Sequence, residues 1–232
     1  KININNNKIK DYLKYGYKSI HLNNETFFKD IKEFKSSCYL EYNSNKAINL
    51  KKFWRPSFKE NYKISVNDAV NLTKEKLIES LKIRLRSDVP IAFCLSGGVD
   101  STSLASIASK ILNKKIKTFS IVDDDKNYNE KKIIDKTVKD LNSNHEFIYP
   151  PKKNFLNKLE NMVDYNNSPI STISYFLHNI MLQQINKSGY KVSISGTGAD
   201  ELFSGYYMHY ILHLVDCKNN NIYPSLKKDF NN

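Results

Sequence analysis

The stretch IAFCLSGGVDS at 91–101 constrains the chain more than any other. Five apolar residues in a row, Ile91 to Leu95, are strand-length and leave no polar face, so they read as a strand buried on both sides. Ser96, Gly97 and Gly98 then impose a turn, and Leu104, Ala108 and Ile111 recur at helical spacing as far as about Leu112. A doubly buried strand running at once into a helix is half of a βαβ unit. It predicts an α/β fold: a parallel sheet with helices on both faces.

The alternation continues downstream. IKTFSIV (116–122), HEFIYP (145–150) and YKVSISG (190–196) read as strands, and 66–86, 128–142, 153–165 and 174–188 as helices. Val66, Val70, Leu77, Leu81 and Leu85 form the apolar stripe of the first helix, which Ser65 and Asp68 open as a capping box. Gly189 is the expected left-handed residue closing the last one. The upstream region differs: CYLEYN (38–43) and AINLKKFW (47–54), joined by Asn-Ser-Asn-Lys, read as a β-hairpin in an otherwise polar stretch. The expected division is a small β-rich segment over 1–55 and an α/β domain over 56–232. The Asn-rich patches near the start and at 219–221 read as loops or disordered ends.

Composition removes several classes of function. No apolar run approaches the roughly 18 to 20 residues that cross a bilayer, so no membrane partner is expected. Cys38, Cys94 and Cys217 lie far apart without CxxC spacing, which argues against a zinc site or a disulfide framework and for a reducing, cytoplasmic setting. The net charge of +12 is spread along the chain as Lys among Asn and Ile, which reads as solvated helix faces and argues against a nucleic-acid partner. The sequence begins with Lys and lacks a signal-peptide pattern, so a fragment of a longer cytoplasmic protein is expected. His209 and His213 stand at i, i+4 with no third metal ligand in view, and Phe203, Tyr206, Tyr207 and Tyr210 read as helix packing.

Two motifs carry chemistry. In LSGGVDS (95–101), Gly97 and Gly98 leave backbone N–H groups free to close on an anion, Ser96 and Ser101 add hydroxyls, and a helix beginning near Val99 points its positive end at the same spot. The Lys of a GxxxxGK[ST] loop is absent, which excludes that class of kinase or GTPase. Asp100 beside bound phosphates would repel them unless a hard cation lies between, so it reads as a ligand for magnesium. The alternative is a simple N-terminal helix carboxylate. In SISGTGADELFSGYY (193–207) a strand again ends in Ser-Gly, glycines follow, and Asp200 stands where a helix starts. A helix-start aspartate explains either motif alone but not their recurrence at two strand ends of one sheet.

LSGGVDS together with SGTGADELFSGY closely resembles the synthetase domain of the glutamine-hydrolysing asparagine synthetases, within the PP-loop ATP pyrophosphatases (adenine nucleotide alpha hydrolase-like). YLKYGYKSIHLNNETFFKDIKEFKSSCYLEYN is similar to the segment where that family's glutaminase domain runs into its synthetase domain. The resemblance implies an enzyme that binds ATP and Mg2+, activates the β-carboxylate of aspartate as an acyl-adenylate with release of pyrophosphate, and amidates it with ammonia from a glutaminase domain. By position, it implies that Ser96, Gly97, Gly98, Asp100 and Ser101 hold pyrophosphate and its metal, and that Asp200 gives the second metal contact. It places Leu95 and Ile121 against adenosine and Ser195 and Gly196 beside the nucleotide. SPISTIS (168–174) resembles a loop shaping the aspartate pocket.

The pattern also departs from the family. Asparagine-making members carry a catalytic Glu where this chain has Thr197, which leaves the carboxylate substrate open between aspartate and another acid, such as a sugar acid of a surface polysaccharide. The family's glutaminase Cys would precede this sequence and its catalytic Lys would follow Asn232; Cys38 reads as a packing residue. A nucleic-acid-modifying PP-loop protein and a non-catalytic ATP-binding module are the remaining alternatives, and a homodimer stays open.

Overall fold

The computed structural model describes residues 2–42, 48–57, 64–123, 125, 129–151 and 153–219. They fall into two compact units, Lys1–Leu72 with Pro150–Leu182, and Thr73–Tyr149 with Gln183–Asn232.

The first unit holds helix α1 (Asn6–Tyr15), strands β1 (Cys38–Tyr42) and β2 (Ile48–Lys52), and helix α5 (Phe155–Asn166). Asn5 caps α1 by accepting from the N–H of Lys8. The β1–β2 pair is the expected antiparallel hairpin, with Leu40 opposite Leu50; its connecting turn lies outside the described residues.

The second unit is built on one sheet. Its strands are β3 (Ile91–Cys94), β4 (Lys117–Ile121), β5 (Asn144–Ile148) and β6 (Val192–Ile194), ordered β5-β4-β3-β6 and all parallel. Helices α2 (Val66–Arg84) and α6 (Ile173–Lys187) each begin in the first unit and end in the second; α3 (Val99–Ser106), α4 (Lys131–Leu141), α7 (Ala199–Phe203) and α8 (Tyr207–Asn219) belong to the second. Side-chain alternation decides what each face meets. Phe93 and Leu95 point to one side and pack with Leu81 of α2, Ala105 of α3, and Ile134 and Leu141 of α4. Phe119 and Glu146 point to the other, where Phe119 meets Tyr190 edge-on and Glu146 accepts from Gln184 of α6 at 2.7 Å. Helices therefore cover both faces, as the doubly apolar strands require. Burying Phe93 and Phe119 contributes about 2–3 kcal/mol each.

The two fully buried hydroxyls of this sheet are satisfied locally. Thr118 and Ser120 are fully buried, and Ser120 Oγ donates to the Leu95 carbonyl at 2.5 Å, fixing the end of β3 against β4. Ser65 Oγ accepts from the Asp68 N–H at 3.1 Å and donates to its carboxylate, so the expected cap opens α2 in a variant form. Gly189 closes α6 with φ +87°, the left-handed geometry that favours glycine.

Three elements differ from expectation. The Asn-rich patch near the start, expected as a loop or disordered end, gives Asn6 and Asn7 to the first turn of α1. The helix after the Ser-Gly-Gly turn is α-helical only to Ser106 and continues as a π-turn over Ile107–Ile111, with Leu112 N–H donating to the Ile107 carbonyl. Phe203, Tyr206 and Tyr207 are exposed rather than packed, as are Met208 and Leu212 of α8. No helix among the described residues is long and apolar enough to cross a membrane.

Candidate nucleotide-binding site

Strands β3 and β6 are hydrogen-bonded neighbours in register, Ala92 beside Ser193 and Phe93 beside Ile194. Both run the same way, so the two Ser-Gly turns leave the sheet side by side at its carboxyl edge, the usual ligand-binding edge of a parallel sheet. A Cβ built on Gly196 would lie 2.9 Å from Asp100 Cβ and 2.9 Å from the Ser101 backbone N. Only a glycine fits there, and the close approach brings the second motif onto the first helical turn of the first.

The first turn is held by its own serines. The buried Ser101 Oγ accepts from the Ser96 N–H at 3.0 Å and lies 2.9 Å from Ser96 Oγ, which in turn accepts from the Gly98 N–H at 3.2 Å. These bonds shape the loop from which α3 starts, and Gly98 is its extended N-cap with no side-chain capping bond. Asp100 lies in the first turn of α3, half-buried. Leu95 is 3 % exposed with its side chain in the core, so what it offers at the edge is backbone. Ile121, half-buried, ends β4 beside Ile148.

In the second turn, Ser195 Oγ donates to Thr197 Oγ1 at 3.1 Å, and the exposed Thr197 offers a hydroxyl. Gly198, at φ +94°, turns the chain into α7. Asp200 is half-buried in the first turn of α7, and a Cβ on Gly205 would meet its Cγ at 2.9 Å, so Gly205 closes over this carboxylate as Gly196 closes over Asp100. The Tyr206 hydroxyl donates to Glu201 at 2.7 Å; that bond pushes Tyr206 up to about 12 and Glu201 below the usual carboxylate range. The Cys94 thiol is pushed up by burial, which disfavours a thiolate at the end of β3.

Sequence reasoning missed Glu130. It precedes α4, and its Oε2 accepts from the Gly97 N–H at 2.8 Å, so a carboxylate sits on a donor of the Ser-Gly-Gly turn. The available signal was its place: a third acid at the start of a helix that follows a sheet strand.

The Gly97 N–H already serves one carboxylate, and a donor of this kind suits anionic oxygens such as those of phosphate. Among the described residues no group of three or more His, Cys, Asp or Glu is arranged to hold a metal, His209 and His213 included. A cation at this edge would draw on Asp100 and Asp200 and complete its shell with phosphate and water, a set that suits magnesium. Two cavities of about 500 and 640 Å3 lie in the first unit, lined by residues such as Lys8, Phe27 and Asn167; neither includes a residue of the Ser-Gly turns.

The chain is similar to several known proteins. Amidase chyE of Penicillium rubens is 25% identical over 227 residues, covering 86% of this chain and 34% of that protein. The glutamine-hydrolyzing asparagine synthetase 1 of Bacillus subtilis is 30% identical over 156 residues, covering 66% of this chain and 24% of that protein. The chain thus spans about a third or less of the length of these curated relatives. Among solved structures, the NH3-dependent NAD synthetase of Campylobacter jejuni aligns with a TM-score of 0.39 at 17% identity, over 59% of this chain and 60% of that one. The family model described as Asparagine synthase matches residues 72–230, well over half of the sequence, and the chain belongs to the asparagine synthase family.

Proposed function

We propose that this chain carries the nucleotide-binding part of an ATP-dependent carbon–nitrogen ligase, which adenylates a carboxylate and passes it to ammonia. The observation that carries the reading is the seating of Gly196 on Asp100 and Ser101, which joins two Ser-Gly turns into one anion-binding edge.

On this reading the N–H groups of Gly97 and Gly98, the hydroxyls of Ser96 and Ser101, and the start of α3 bind the β- and γ-phosphates. The Ser195–Gly196 turn lies beside the α-phosphate, and Leu95 and Ile121 flank the adenosine. Asp100 and Asp200 would hold Mg2+, which supplies charge neutralisation as the bond between the α and β phosphates breaks. Charge accumulates on the departing pyrophosphate, and a preformed donor aimed at such charge is worth about 3–4 kcal/mol. The carboxylate of the substrate is itself the nucleophile, so neither Ser101 nor Cys94 is needed for covalent catalysis. Residues 1–55 are read as the tail of a glutaminase-type domain plus linker, 56–232 as the synthetase-type domain, and the setting as cytoplasmic.

Aspartate, amidated with glutamine-derived ammonia, is the leading substrate. A second acid acceptor is favoured by Thr197, whose hydroxyl cannot serve as the carboxylate of the asparagine-making members, and by a relative named an amidase rather than a synthetase. ATP–pyrophosphate exchange by the full-length protein, with aspartate and with a panel of other acids, separates the two. Exchange dependent on aspartate supports the first, exchange dependent only on another acid supports the second, and none with any acid contradicts both.

A further inference from the structure

The phosphate cradle is not bare. Glu130, at the entrance to α4, places Oε2 2.8 Å from the Gly97 nitrogen, and its Cβ, Cδ and Oε2 all lie 3.1–3.2 Å from where a Cβ on Gly97 would be. The side chain therefore lies flat over the glycine, across the face from which a phosphate would reach that N–H. Among the described residues nothing else accounts for its position. Among the described residues Glu130 takes part in none of the ion pairs, and it caps α4 through its carbonyl rather than its carboxylate. Its neighbour Lys131 is turned away to the Tyr149 hydroxyl at 3.1 Å.

We propose that Glu130 is a removable carboxylate plug of the phosphate cradle, occupying the Gly97 N–H and leaving when the phosphates arrive. This rests on the nucleotide-site reading above. One N–H at 2.8 Å cannot serve a carboxylate and a phosphate oxygen together, and the two anions repel, so binding is competitive. The apparent affinity for phosphates is lowered by the fraction of molecules in which the plug is seated. Among the acids at this edge, Asp100 and Asp200 would share a cation with the phosphates, whereas Glu130 takes the phosphates' own donor.

The test is calorimetric titration of the full-length protein, its Glu130→Gln and its Glu130→Ala variants with inorganic pyrophosphate, once with a chelator and once with magnesium. Both variants are expected to bind pyrophosphate more tightly than the parent in both conditions, on the order of fivefold, the net effect of one ordinary hydrogen bond. Thermal unfolding of each variant checks that the fold is kept. Unchanged affinity in folded variants overturns the plug, and so does weaker binding confined to magnesium, which would make Glu130 a metal ligand. If neither the parent nor the variants bind pyrophosphate, the nucleotide-site reading itself falls and the plug with it. Binding by the parent without improvement in the variants defeats the plug alone.

Discussion

Gly196 and Asp100 are far apart in sequence, yet a single added methyl on Gly196 would stand 2.9 Å from Asp100 Cβ. That contact ties the end of β6 to the first turn of α3 and makes one edge of two motifs.

Replacing Gly196 by Ala should therefore cost about 1–3 kcal/mol, because the obstructing atoms include backbone, which cannot rotate away. Gly189→Ala is the control. It meets nothing within 4 Å and carries only the strain of φ +87°, about 1 kcal/mol. Urea unfolding of both variants checks this; a Gly196→Ala loss below that of the control would mean the two turns are not packed together.

Asp100→Ala should abolish ATP–pyrophosphate exchange in the full-length protein while changing stability by less than about 1 kcal/mol. A carboxylate at a helix start contributes no more than that through the helix dipole. Exchange assays and thermal unfolding on one preparation decide it, and unchanged exchange would remove Asp100 from the site.

Gly97→Val should weaken nucleotide binding by about tenfold or more, equivalent to ~1.4 kcal/mol. A Cβ alone would already sit 3.1 Å from the Glu130 side chain, and the added methyls fill the space a phosphate must enter. Fluorescence titration with a labelled ATP analogue reads the loss, and parental affinity would place the phosphates elsewhere.

His145 supplies a pH dependence unconnected with nucleotide. It is half-buried, with Nδ1 2.8 Å from Thr118 Oγ1 and Nε2 without a partner among the described residues. Burial, then the charge of Lys117, hold it below its ordinary value of 6.5, against smaller opposing effects of Asp135 and Glu146. The unfolded chain thus takes up the proton first as pH falls. Stability from this group is complete above about pH 6.5 and is lost as pH falls from there toward the folded-state value. His145→Gln should flatten that part of the stability–pH curve between pH 7 and 5; an unchanged slope would acquit His145.

The order of strands and helices was legible because apolar runs and helical stripes report burial directly, and Gly189 marked its helix end by conformational need. Other features were not. The π-turn at Ile107–Ile111 adds one residue to a loop of the helix and leaves the apolar spacing nearly intact, so no pattern announces it. The exposed aromatics of α7 and α8 have the composition of packed ones, and sequence does not say which apolar face finds a neighbour. The bond from Gly97 to Glu130 joins residues 33 apart, a pairing set by the sheet and invisible to local spacing. Asp100 and Asp200 stood out because each follows a Ser-Gly strand end. That β3 and β6 are neighbours, which makes the coincidence meaningful, came from the sheet order.

The central claim is that Asp100 and Asp200 serve one cation on one nucleotide. The direct measurement is the affinity of the full-length protein for ATP with magnesium in the parent, Asp100→Asn, Asp200→Asn and the double variant. Partners in one site give strongly non-additive effects, so the double variant should bind hardly more weakly than the worse single one. Losses that simply add, or a single variant that binds as the parent does, would contradict the shared site.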